Sequence, residues 1–392
     1  MMSALLVLLG IFLVHAVSLL FSRLRDHEVS PRLAAEPPPE PAREDWPLVS
    51  IVIPARNEEQ HLGTCLGSLR ALDYPSLEIV VVNDRSTDKT GPMAEAVSRE
   101  DPRVKVVQGT DTPEGWTGKN FAIHQGTREA RGEYLLVVDA DTVLAADTLR
   151  QAVSYAEREQ VDLLTLYPRV VCSSFWERAL LPWLGVLSNF RMDRVNDPNS
   201  PDAMAYGYFL FFRRASYESV GGHQGIRDRV GEDWIIARRL KSMGLRLRML
   251  MGTEFVTKRF GPSLQEIWQG FTKNFILIME GRKVVAALAI PLVTYYLLFT
   301  VLPWAVLVLA PVLLVTMGWD PLWVLAFLVA ALQLAALAGV RALLKSFIRL
   351  DVASPHLQPL GGVVITGMGL AAILRTLTGR GITWKGRRYK EF

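Results

Sequence analysis

Four apolar runs constrain this chain more than any other feature. Residues 2–21 (MSALLVLLGIFLVHAVSLLF), 284–318, 321–340 and 360–374 contain no Asp, Glu, Lys or Arg. A helix needs about 20 apolar residues to cross a hydrocarbon core of about 30 Å, so the first run predicts a transmembrane anchor over residues 1–22. A cleaved signal peptide would carry a basic start and a small-residue cleavage site, and neither stands here. Arg23 and Arg25 follow the run and draw the next segment to the cytoplasmic side. The 284–318 run is 35 residues long and holds Pro291, Pro303 and Pro311, so it reads either as one kinked span or as a tight pair of short ones. Arg282, Lys283, Arg341, Lys345 and Arg349 flank the later runs, and Arg375, Arg380, Lys385, Arg387 and Arg388 follow them. Both the middle loop and the tail are thereby drawn to the cytoplasm, which asks residues 360–374 to be interfacial or re-entrant. The expectation is a multi-pass cell-membrane protein with its soluble domain in the cytoplasm.

The intervening sequence divides by composition. Residues 23–47 read as a Pro-rich linker, 48–257 as a soluble α/β domain and 258–283 as an amphipathic segment. Residues 284–378 read as a membrane bundle and 379–392 as a basic tail. In the amphipathic segment Ile267, Trp268, Phe271, Phe275 and Ile278 recur near helical spacing beside Lys273 and Lys283, as in a helix lying at headgroup depth. Packing inside a core is the alternative. The only cysteines, Cys65 and Cys172, stand far apart without zinc or disulfide spacing. The net charge of +4 is small, and the basic residues beside the spans suit anionic lipid headgroups rather than a nucleic acid.

Within 48–257 the runs LVSIVIPA (48–55), LEIVVVND (77–84), RVKVVQG (103–109) and EYLLVVDAD (133–141) are short and β-branched, as in strands buried on both faces. Helical stretches at 57–72 and 86–101 lie between them. This alternation predicts a mostly parallel, Rossmann-like sheet with crossover helices. Ligands bind such sheets beyond the carboxyl ends of the strands. Polar residues gather there: Arg56, Asn57 and Glu58, then Asn83 and Asp84, then Asp139 and Asp141. The last pair can be read as a helix cap with a turn residue. It can equally be read as carboxylates for a hard divalent cation that completes its shell with water and substrate phosphate.

The motifs VSIVIPARNEE (49–59), VVVNDRSTDKT (80–90), VVDAD (137–141) and GED (231–233) together resemble the family 2 glycosyltransferases. GWTGKNFAIHQG (115–126) and GRGITWKGRRY (379–389) resemble a membrane-bound subgroup associated with carotenoids and hopanoids. The resemblance implies a GT-A fold and inverting transfer from a nucleotide-diphosphate sugar, a UDP-sugar foremost, to a lipid acceptor. It implies Mg2+ or Mn2+ as cofactor. Glu58 and Asp84 then match positions that bind base and ribose, and carboxylates suit these as acceptors of N–H and O–H donors. Asp139 matches the ribose- or diphosphate-side acid, and shares with Asp141 the metal that neutralises the departing diphosphate. Asp233 matches the general base that takes the proton of the acceptor hydroxyl. Lys119 and Arg259 match basic positions near the diphosphate.

Other readings bear on these residues. GWTGKN is not a phosphate-binding P-loop, because Pro113 stands where the first Gly belongs and Asn120 where Ser or Thr belongs. Lys119 could be a solvated lysine, and Glu232–Asp233 an acidic helix start. Trp116 suits either a ligand wall or plain packing. Processive polysaccharide synthases of this family carry a QxxRW signature; QGFTKNF stands here, which favours a single transfer. A non-catalytic scaffold of this fold would lack the metal acid or the base, and this chain keeps both. A glycerolipid or sphingoid acceptor stays open beside a polyisoprenoid one.

Overall fold

The computed structural model describes residues 2–33, 45–187, 191–261, 263–279, 282–347, 349, 355–384 and 387–389. Residues 34–44 of the expected linker lie outside them, as do residues 385–386 and 390–392 of the expected tail. The chain forms two compact units. One comprises Ser30–Val170 and Arg191–Arg259; the other comprises Met1–Val29, Val171–Phe190 and Phe260–Lys390.

The first unit is the α/β one. Its strands are β1 (Val49–Ala55), β2 (Leu77–Asn83), β3 (Val104–Gln108), β4 (Tyr134–Val137), β5 (Thr142–Leu144), β6 (Leu163–Tyr167), β7 (Arg169–Val170), β8 (Leu210–Arg213), β9 (Leu247–Met251) and β10 (Val256–Lys258). Seven of them form one sheet in the order β3–β2–β1–β4–β8–β6–β9, with β8 antiparallel to both neighbours and the other pairs parallel. Ile51, Val52, Ile53, Val80, Val81, Leu135 and Leu136 are fully buried, as residues of both faces must be in a sheet covered by helices on each side. The helices Leu62–Arg70, Thr90–Glu100 and Gly118–Glu129 cross over between the successive parallel strands.

Two local results position the site. β4 stops at Val137, before the end of the 133–141 run, although the Val138 N–H still donates to the Val52 carbonyl at 3.1 Å. The Thr142 N–H then donates back to the Asp139 carbonyl at 3.1 Å, so Asp139–Ala140–Asp141 forms the turn from β4 into β5. In a second sheet of order β5–β10–β7, β10 is the central strand, with Lys258 opposite Thr142 on one side and Val170 on the other. Strand pairing thus ties Lys258 to this unit.

The Gly118–Glu129 helix lies flush on the sheet. A Cβ at Gly126 would come within 2.5 Å of Val52 Cγ1 and 2.8 Å of Val82 Cγ2, and both valines are stiff at χ1. Overpacking costs about 1–3 kcal/mol, and the better helix propensity of alanine returns at most about 1 kcal/mol. Gly126→Ala is therefore expected to destabilise this unit by about 1–2 kcal/mol, read as a lower unfolding midpoint of the detergent-solubilised protein.

The other unit is helical. Among the described residues, four of its helices are long and apolar enough to cross a membrane: Met2–Val29, Lys283–Met317, Pro321–Phe347 and the 355–377 segment containing Gln358–Leu377. The 284–318 run is thus one helix despite three internal prolines. Pro303 has no N–H for the Phe299 carbonyl, and the buried Gln333 amide from the next helix donates to that carbonyl at 3.0 Å. Small residues let the helices approach: a Cβ at Gly362 would strike Thr300, and one at Gly361 would meet Trp183. Phe12 packs edge-on against Tyr295 and Phe299. The Leu264–Ile278 helix opens with a capping box between Ser263 and Glu266, and Ile267 and Ile276 are buried. A short antiparallel hairpin pairs Ile382–Trp384 with Arg387–Tyr389.

Candidate active site

The carboxyl ends of β1 and β2 lead into loops that lock together. Asn57 and Arg85, just past the two strands, both sit in the left-handed region at φ 53°. The Glu58 N–H donates to Thr90 Oγ1 at 2.7 Å, and Asn57 Oδ1 accepts from the Thr87 N–H at 2.9 Å. Asp84 is buried, with guanidinium groups of Arg85 at 3.3 Å and Arg56 at 3.9 Å from its carboxylate. Arg56 also donates to the Asp84 carbonyl at 3.1 Å. Asp84 is therefore held by cations before any ligand arrives.

Asp139 and Asp141 meet the repulsion problem of adjacent acids with lysine ammonium groups. The β5–β10 register brings Lys258 to the turn, where its Nζ lies 3.3 Å from Asp139 Oδ2 and bonds Asp141 Oδ1. Asp139 Oδ1 accepts from Lys119 Nζ at 2.8 Å. Lys119 in turn contacts Glu232 Oε1 at 2.7 Å. Charges therefore alternate along Asp141, Lys258, Asp139, Lys119 and Glu232. Burial alone would raise the Asp139 carboxyl, but the two lysines outweigh it and hold it well below the usual carboxylate range. Burial likewise works against the ammonium groups, and their acidic partners keep both lysines charged. Beneath the turn, burial and the charges of Asp141, Asp139 and Glu58 push the Cys65 thiol up to about 12, against the pull of Lys258.

Lys119 is aimed by its neighbours. Thr117 caps the Gly118–Glu129 helix by accepting from the Asn120 N–H at 3.3 Å, while the Thr117 N–H donates to the Arg227 carbonyl at 2.7 Å. The buried Asn120 amide donates to the carbonyls of Ile226 at 2.7 Å, Arg229 at 2.9 Å and Arg227 at 3.3 Å. The helix start thus clamps the segment that runs into Gly231 and the Glu232–Ser242 helix. Asn120, in the place of a P-loop Ser or Thr, serves this clamp.

Asp233 stands in the first turn of that second helix. Its Oδ2 accepts from the Gly207 N–H and its Oδ1 from the Trp234 N–H, both at 2.9 Å. Burial and the neighbouring Glu232 charge push its carboxyl up to about 6, with Lys119 and the two N–H donors opposing. The backbone at Gly207 runs close beneath the charged ends: a Cβ there would come 3.0 Å from Lys119 Nζ and 3.5 Å from Asp233 Oδ2. Tyr206 stacks on Tyr208 at 4.9 Å between ring centres and meets Tyr167 edge-on at 5.7 Å, forming an aromatic wall on this side.

Lys119, Asp139 and Asp141 thus share one row, with Asp233 one residue past its end at Glu232. Glu58 and Asp84 stand in the adjoining strand-end loops. Arg259 is half-buried directly after Lys258. Trp116 packs on Phe121 and His124. The residues not foreseen are Lys258, Gly207, Asn120 and Glu232 as an ion partner. Lys258 had no local signal, since its partners are more than 100 positions away in sequence. Among the described residues no three His, Cys, Asp or Glu side chains converge as a metal cage. The pair of carboxylates, Asp139 and Asp141, could hold an Mg2+ or Mn2+ that takes its remaining ligands from water and a diphosphate.

The chain is similar to known proteins in sequence and in fold. Residues 50–221 match the model described as "Glycosyl transferase family 2". The chain is 28% identical over 240 residues to the 4,4'-diaponeurosporenoate glycosyltransferase of Staphylococcus aureus (strain USA300), covering 60% of this chain and 62% of that protein. The protein of the same name from strain MRSA252 is 27% identical over 241 residues, with the same 60% and 62% coverage. The match therefore spans less than two thirds of these relatives' length. Among solved structures, the mannosyltransferase PcManGT from Pyrobaculum calidifontis, in complex with GDP-Man and Mn2+, superposes with a TM-score of 0.54 at 22% identity, covering 96% of this chain and 99% of that one. Residues 50–221 thus match the family 2 glycosyltransferase model and have the α/β fold of the Pyrobaculum mannosyltransferase, in a chain whose described residues include four helices able to span a membrane.

Proposed function

We propose that this protein is a membrane glycosyltransferase that moves one hexose from a nucleotide-diphosphate sugar to a polyisoprenoid-derived lipid, with inversion. The observation that carries the reading is the alternating charge row from Asp141 to Glu232, with Asp233 beside its end. One end suits a diphosphate and the other an attacking group. Glu58 and Asp84 hold base and ribose, Lys119 and Arg259 face the diphosphate, and Asp139 and Asp141 hold the Mg2+ or Mn2+. When bound, that ion neutralises charge growing on the leaving diphosphate. Asp233 accepts the proton of the acceptor hydroxyl as its oxygen attacks the anomeric carbon from the face opposite the diphosphate. The diaponeurosporenoate named for the Staphylococcus aureus relatives supports a carotenoid-type acceptor, and GDP-Man with Mn2+ in the Pyrobaculum structure supports a metal-assisted nucleotide sugar. The four apolar helices support a lipid acceptor reached from within the membrane.

Membranes containing the protein, given labelled sugar nucleotides with Mg2+ or Mn2+, test this directly. The expected result is metal-dependent label in the organic-extractable fraction, reduced at least about 100-fold in Asp141→Asn and, where the acceptor is a hydroxyl, in Asp233→Asn. Label in water-soluble, high-molecular-weight material would instead mark a processive polysaccharide synthase.

A further inference from the structure

The two-carboxylate site already contains a cation of the protein's own. Lys258 Nζ bridges Asp139 and Asp141, its side chain only 8% exposed and its ammonium 5.8 Å from the centre of the Tyr208 ring. Its backbone is held by strand pairing on both sides, to β5 and to β7, so the side chain is the part free to swing. Asp139 is also the more heavily committed acid, since its other oxygen takes Lys119. A divalent cation approaching Asp141 therefore meets an ammonium in place and must displace it or share its oxygens against like-charge repulsion. A displaced lysine needs a new anionic partner, and the diphosphate is the anion that enters beside it.

Building on the metal and diphosphate reading above, we infer that Lys258 is a built-in counter-cation of the metal site, which keeps a divalent ion weakly bound until a nucleoside diphosphate draws its ammonium away from Asp141. Metal and donor then bind as a coupled pair, each tightening the other by the same factor. The arrangement keeps the two acids together and charge-balanced between turnovers.

Titration of the purified full-length chain with Mn2+ alone, followed by loss of the free-ion electron paramagnetic resonance signal, tests this without any activity measurement. The variants are Lys258→Met, which keeps the stem and removes the charge, and Lys258→Arg, which keeps the charge. Asp141→Asn and the double variant Lys258→Met/Asp141→Asn locate the ion. Lys258→Met is expected to bind Mn2+ at least 10-fold more tightly than the wild type, and Lys258→Arg no more tightly than the wild type. Adding UDP or GDP should tighten Mn2+ in the wild type far more than in Lys258→Met. Unfolding midpoints for each variant confirm the fold, and the Arg variant retains a readable prediction if the Met variant is unstable. Equal Mn2+ affinity in the wild type and Lys258→Met, lost in both when Asp141→Asn is added, would overturn the counter-cation role and leave the metal site standing. Mn2+ binding insensitive to Asp141→Asn, or none at all in Lys258→Met, would overturn the metal reading along with it.

Discussion

Asp233→Asn is expected to lower transfer to a hydroxyl acceptor by about 1,000-fold, within the range that a positioned general base contributes, while nucleotide binding stays within about threefold of wild type. The amide keeps nearly the shape of the carboxylate, so Gly207 and Trp234 still meet an oxygen or lie beside an amide of the same size. What disappears is an oxygen able to take a proton. Glu232 does not replace it, because its carboxylate is engaged with Lys119 at 2.7 Å. The acceptor's chemistry sharpens the test. A carboxylic acid acceptor is already ionised at neutral pH and has no proton to give. Against such an acceptor the same variant should lose less than about tenfold. Comparing initial rates on a hydroxyl and a carboxyl lipid, with donor binding measured separately, checks both halves. A uniform loss on both acceptors would remove Asp233 from the role of base.

The second large effect is expected at Lys119. Its ammonium lies between Asp139 and Glu232 and pulls the Asp233 carboxyl down against burial and the Glu232 charge. Lys119→Met removes that pull, so the Asp233 carboxyl rises above its value of about 6. A base works only when deprotonated, so activity rises with pH through this value. In the variant the acid limb of kcat/KM therefore moves to higher pH, by about one unit for each 1.4 kcal/mol of lost interaction. At pH 6.5 the loss should be on the order of 100-fold, combining a protonated base with a donor pocket short of one cation, and it should shrink as pH rises to 8.5. A loss that is the same at every pH would mean that Lys119 serves only to hold the row of charges together. Lys119→Arg, which keeps the charge, is expected to keep the acid limb near that of the wild type.

Much of the α/β unit was legible because its information is local. The runs around Ile51, Val80 and Leu135 are apolar over a strand's length, and turn and helix residues separate them, so a parallel sheet with crossovers is the economical arrangement. The carboxyl ends of those strands then share an edge, which is why Glu58, Asp84, Asp139 and Asp141 could be assigned to one region from their places in the sequence. The amphipathic spacing of Ile267 and Phe271 was legible for the same reason, and the capping box at Ser263 and Glu266 agrees with a helix starting there.

What the sequence could not contain was any pairing made across long separations. Asp139 and Asp141 were expected just past the fourth strand, but that the chain leaves the sheet after Val138 to enter β5 depends on the pairing of β5 with the distant β10. The same pairing delivers Lys258 to the two acids, and nothing near residue 258 announces it. Gly207 and Asn120 have the same character: one lies where two charged side chains from distant segments meet, and the other is a side-chain amide that bonds the carbonyls of residues 226, 227 and 229. The sequence by itself therefore determined the first four sheet strands, the edge they share and the acids placed at it, since periodicity and strand ends are properties of neighbours along the chain. Tertiary structure alone decided which cations stand between those acids, because electrostatic balance in a partly buried cluster depends on groups that meet in space and are far apart in sequence.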